Sequence, residues 1–82
     1  MDIPLMNQMY QHYKGGLYVT VCMSKHSETL EDLVIYQKYD KALKPEFWAR
    51  PLIEWNRPLE NTGKKRFELI YYKPINGYER DY

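Results

Sequence analysis

Polar and apolar side chains alternate most regularly between Leu17 and Met23. The run Leu17-Tyr18-Val19-Thr20-Val21-Cys22-Met23 is rich in β-branched and aromatic residues and has the two-residue period of a strand. Simple alternation would put Leu17, Val19, Val21 and Met23 on one face, with Tyr18, Thr20 and Cys22 on the other. Lys14-Gly15-Gly16 before it is a turn signal, reached from Tyr10–Tyr13. Ser24 to Asp32 is polar and predicts a loop.

Leu33–Tyr39 supports two readings. Thr29 with Asp32 three residues later resembles a helix cap, and Leu30, Leu33, Val34 and Gln37 fall at helical spacing. Leu33-Val34-Ile35-Tyr36 is nevertheless a compact β-branched and aromatic run, and only Gln37 would complete the helical stripe, so we read a strand. Phe47–Arg50 predicts a short strand ended by Pro51, which has no N–H for a ladder. Leu52–Trp55 fits a single helical turn or a bent strand. Arg57-Pro58 breaks the chain, Asn61-Thr62-Gly63-Lys64 has the composition of a hairpin turn, and Arg66–Tyr72 reads as the last long strand.

Four or five short strands between polar turns predict an all-β domain, a small barrel or rolled sheet whose closure hides its edges. The expected division is a flexible N-terminus over 1–9, the barrel domain over 10–72 and a tail over 73–82. A chain of 82 residues holds one domain with a thin core, and nine Tyr and two Trp are the large side chains available to fill it. The apolar fraction of 44% is too high for a disordered tail.

Twelve Lys and Arg against eleven Asp and Glu leave a formal charge of +1, which gives no strong pull toward nucleic acid or an anionic membrane. The single Cys22 has no internal disulfide partner and, within an apolar run, reads as a small core residue. The first residues lack the basic start and apolar stretch of a signal peptide, and no window is apolar enough for a membrane span. The expected location is the cytoplasm.

Several polar groups invite a chemical reading. His26, Ser27 and Glu28 are consecutive, and neighbours on an extended chain point to opposite sides, so they do not converge as a catalytic triad. Ser27, Glu28 and Thr29 are better suited to binding loop amides. His12, His26 and Glu28 have suitable chemistry for a metal but match no known ligand spacing. His12, Lys14, Tyr18, Tyr36, Trp48 and Arg50 would together give aromatic surface beside cations, able to stack on rings and to pair with carboxylates or phosphates. The competing reading puts Tyr18, Tyr36 and Trp48 in the core and pairs Lys14 or Arg50 with Glu28 or Glu31. Lys64-Lys65-Arg66 reads as a solvated basic turn, and Tyr78 and Tyr82 as tail residues packing back over a sheet edge.

A set of motifs carries a family resemblance. Tyr10-x-His12-Tyr13-Lys14-Gly15-Gly16-Leu17-Tyr18, His26-Ser27-Glu28-Thr29-x-Glu31, Val34-Ile35-Tyr36, Trp48-Ala49-Arg50-Pro51 and Arg66-Phe67, in this order, resemble the bacterial domain-of-unknown-function family 1653 over roughly residues 10–70. The resemblance implies an SH3-like barrel and no established activity.

The sequence therefore predicts a non-enzymatic binding module with no catalytic, cofactor or metal residues. Its candidate surface is His12, Lys14, His26, Glu28, Tyr36, Trp48 and Arg50. Expected partners are a protein, a peptide or a small anionic ligand, without a membrane, for a monomer or weak homodimer. The alternatives are a nucleic-acid-binding accessory protein and a small enzyme with His26 and Glu28 as acid and base.

Overall fold

A computed structural model of the protein describes residues 2–39 and 46–71. In chain order these form β1 (Met9–His12), β2 (Leu17–Lys25), β3 (Asp32–Lys38), β4 (Phe47–Pro51), a helical turn α1 (Leu52–Asn56) and β5 (Phe67–Tyr71). The strands make one antiparallel sheet in the order β4-β3-β2-β1-β5. The all-β, single-domain fold expected from the sequence is the fold observed. Among the described residues no ladder joins β4 to β5, and α1 packs against β3 and β4.

Leu33–Tyr36 lies in β3, paired on both sides. A strand with two neighbours favours β-branched and aromatic side chains on both faces, and this outweighs the weak helical spacing. Leu52–Trp55 takes the helical alternative. Leu52 and Trp55, three apart, bury the same side of the turn, and the helix stops at Arg57, which is extended ahead of Pro58. The β2–β3 hairpin is longer than the sequence pattern predicts. Ser24 and Lys25 pair with Leu33 and Asp32, and the exposed Lys25 Nζ lies 2.8 Å from Asp32 Oδ1.

The alternation expected for β2 is broken midway. Thr20 pairs with Tyr36 but Cys22 with Ile35, so the register shifts by one residue at a bulge. Met23 thereby joins Tyr18 and Thr20 on the core side, and Cys22 is exposed instead of buried. Directly paired residues share a face, so Tyr10, His12, Tyr18, Thr20, Val34, Tyr36, Trp48, Arg50 and Phe67 all project from one side of the sheet.

On that side lies the core, formed by Tyr10, Val34, Tyr36, Leu52, Trp55 and Phe67, with Tyr18 and Met23 packed against it. It is largely aromatic. Tyr36 meets Trp55 edge-on at 5.4 Å and Tyr18 at 5.3 Å, while Tyr10 meets Trp55 at 5.4 Å. Large rings fill a thin core with few residues and gain quadrupolar attraction from their edge-to-face geometry. Thr20 is fully buried, yet its hydroxyl accepts the Gln8 N–H at 3.2 Å and donates to the Leu5 carbonyl at 2.5 Å. Its backbone also bonds Asn7 and Gln8, so the segment ahead of β1 is tied along β2. The Tyr78 and Tyr82 tail falls outside the described residues.

Candidate functional site

The chemistry gathers at one rim of the aromatic core. Arg50 projects from β4 onto the core side, half-buried, with its guanidinium carbon 5.2 Å from the centre of the Phe67 ring. Its Nε donates to the Tyr36 hydroxyl at 3.3 Å. A planar cation over a ring, fixed by a hydroxyl, keeps its terminal amino groups in a defined fork. Phe67 pairs with His12 across β1 and β5, and the two rings meet edge-on at 4.9 Å. His12 leans in turn on Tyr13 at 4.5 Å, with Arg66 and Lys14 at 5.5 and 5.8 Å from the Tyr13 ring centre. The result is a row of rings, Phe67, His12 and Tyr13, beside three cations.

Burial, then the positive charges of Arg50, Arg66 and Lys14, hold the His12 pKa below its ordinary value. Its Nδ1 accepts the Lys14 N–H at 3.2 Å, which leaves the neutral ring's proton on Nε2. The two salt bridges among the described residues join Lys25 to Asp32 and Arg57 to Glu54. None of Arg50, Arg66 and Lys14 has a carboxylate partner within that set. Beside His12 and Tyr13 a recess of about 270 Å³ opens, with Lys64, Lys65 and the carboxylate-bearing Glu68 also in its lining. The basic run read from sequence as a solvated turn thus adjoins the same rim.

Of the residues expected at the site, the structure brings His12, Tyr36 and Arg50 together, with Lys14 beside them. Tyr36 is a core residue whose hydroxyl anchors Arg50. Trp48 shares the face and sits opposite Tyr36, but 50% of it is exposed because β4 is the outer strand. The core role expected for Trp48 is therefore corrected. His26 and Glu28 lie past the far end of the β2–β3 hairpin from His12, whereas Arg50 is level with Val34 and Met23, only three residues before His26. The salt bridges among the described residues are Lys25–Asp32 and Arg57–Glu54, so neither Glu28 nor Glu31 pairs with Lys14 or Arg50, and His12, His26 and Glu28 form no metal-binding group.

His26 instead organises its own loop. Its Nδ1 accepts the N–H groups of Glu28 and Thr29 at 3.1 and 3.3 Å, and Thr29 Oγ1 accepts that of Glu31 at 3.1 Å. The Thr29 role expected from sequence is observed, while the imidazole takes the larger share. Neither His26 nor Glu28 lines the recess beside His12, so they form no acid–base pair within it. The sequence reading missed Phe67 and Arg66. Both stood in the quoted Arg66-Phe67 motif, but only the β1–β5 pairing brings them to His12.

A five-stranded antiparallel domain with an aromatic and cationic rim is the class of protein defined here. The family described as a protein of unknown function, DUF1653, matches residues 8–69, and the chain belongs to that family. A crystal structure of a DUF1653 protein from Bordetella bronchiseptica is similar to it, with 30% identity, a TM-score of 0.66, and 85% of this chain and 94% of that one covered. No curated protein matches the chain. Among the described residues no helix is long and apolar enough to cross a membrane.

Proposed function

We propose that this chain is a non-enzymatic binding module whose rim captures an anionic group, carboxylate or phosphate, on a protein, peptide or small ligand. The observation that carries the reading is Arg50. It is held in place by the Tyr36 hydroxyl and the Phe67 ring, and no described carboxylate pairs with it. A preorganised guanidinium loses little freedom on pairing and offers two donors to a planar anion. His12, Lys14 and Arg66 add positive potential around it. A cytoplasmic setting suits the single exposed thiol of Cys22.

The test is a titration with inorganic phosphate and with an acidic peptide, followed through the backbone amides of His12, Tyr36 and Phe67 by NMR. Saturable shifts in the wild type, lost in Arg50→Ala and weakened in Arg50→Lys, are the expected result. Equal shifts in all three proteins would sink the reading. A nucleic-acid partner would instead show affinity for oligonucleotides that collapses steeply with added salt.

A further inference from the structure

We propose a second site, a pocket for a small organic acid with an aromatic or branched apolar body, between the segment ahead of β1 and the core. This pocket shares Arg66 and Phe67 with the rim but is lined by neither Arg50 nor His12; it holds about 470 Å³, within the range that accepts small ligands. Ile3, Pro4 and Leu5 line one part of it, and Tyr10, Trp55 and Phe67 line another. Those rings are core residues, so the pocket meets the aromatic cluster directly. Trp55 and Phe67 are stacked on each other and only ring edges reach the pocket, which gives it an apolar floor beneath Ile3, Pro4 and Leu5.

The polar groups in the lining specify the charge. Lys65 and Arg66 contribute two cations against one carboxylate, Asp2. Arg66 spends its Nε on the Arg57 carbonyl at 3.3 Å, which leaves its terminal amino groups to a ligand. The Tyr10 hydroxyl accepts the Leu5 N–H at 2.9 Å, while its own proton has no acceptor among the described residues. A buried donor left with its proton unused favours a ligand that brings an acceptor. Burial raises the Tyr10 pKa, so the phenol stays protonated and can only donate at neutral pH. A carboxylate satisfies both the phenol and Arg66, and the apolar walls take the rest of the molecule.

Entry also has a physical route. The covering segment is pinned at its far end by Asn56, whose exposed side-chain amide donates to the Asp2 carbonyl at 2.7 Å. Releasing that surface bond costs little.

The experiment titrates the full chain with phenylacetate, phenylacetamide and inorganic phosphate while amide shifts are followed by NMR. Phenylacetate is expected to shift the amides of Leu5, Asn56 and Phe67 saturably, with phenylacetamide and phosphate each binding about tenfold weaker or less, the size of one lost charge-assisted hydrogen bond. Tyr10→Phe and Arg66→Gln should each weaken phenylacetate by about the same factor. Should Tyr10→Phe fail to fold, Arg66→Gln decides alone. Arg50→Ala should leave phenylacetate binding intact, which separates this pocket from the rim. Absence of saturable shifts, equal binding of the neutral amide, insensitivity to Arg66→Gln, or loss of binding in Arg50→Ala would each overturn the assignment.

Discussion

The Trp55 indole lies flat on the Phe67 ring, with centres 3.8 Å apart and planes within 2° of parallel. Both residues are 4% exposed. Trp55 comes from α1 and Phe67 from the start of β5, so this stack fastens the helical turn to the last strand. Phe67 also carries Arg50 and meets His12, so the contact that closes the core fixes one wall of the rim.

Truncation of either ring should therefore be severe. Trp55→Ala is expected to cost about 3–5 kcal/mol, a large part of the stability of a domain this small. Phe67→Leu keeps much of the volume and should cost less. Urea unfolding monitored by circular dichroism measures both. A loss below about 1 kcal/mol for Trp55→Ala would mean that the stack is incidental to folding.

Arg50 should behave in the opposite manner. Its side chain is half-buried, and its one hydrogen bond goes to a hydroxyl instead of a carboxylate. Arg50→Ala is expected to shift the melting temperature by a few degrees at most, in line with loss of about 1 kcal/mol of packing and hydrogen bonding. A drop of fifteen degrees or more, about what several kcal/mol would produce, would make Arg50 scaffold and not site.

Much of the fold was legible because its signals are local. Turn residues, the β-branched run of β3 and the proline stops at Pro51 and Pro58 all act over a few positions. The face assignment of Cys22 and Met23 was not legible, since a bulge leaves no compositional mark in Val19-Thr20-Val21-Cys22 and is set by the partner strand. The site divides in the same way. His12, Lys14, Tyr36 and Arg50 were readable as residue types, whereas the separation of His12 and Lys14 from His26 and Glu28 follows from the direction of one long hairpin. Phe67 reaches His12 only through pairing of the first and last strands, a contact across the whole domain.

Thr20 offers a test of how the segment ahead of β1 is held. Thr20→Val keeps the shape but leaves the buried Gln8 N–H and Leu5 carbonyl without their partner. The expected cost is about 1–3 kcal/mol. Hydrogen exchange should also report it, with the Gln8 amide losing protection while the β3 amides keep theirs. Equal loss throughout the sheet would mean that Thr20 supports the domain as a whole and not that segment.

The last prediction concerns pH. The His12 pKa is depressed in the folded protein, by burial first and then by Arg50, Arg66 and Lys14. The unfolded chain takes up this proton near the ordinary value of about 6.5, and the folded chain only at lower pH. Between those points the unfolded state binds more protons, so the His12 contribution to stability is complete above about 6.5 and is lost as pH falls through the folded midpoint. Arg50→Ala removes one of the named charges and should move the His12 titration midpoint upward when followed by NMR. Bound phosphate should do the same by offsetting the local positive charge, so that anion binding draws a proton onto His12 and strengthens as the solution is acidified toward that midpoint. Should the midpoint stay fixed in Arg50→Ala and in saturating phosphate, the charges around His12 would be too well screened to act as one site.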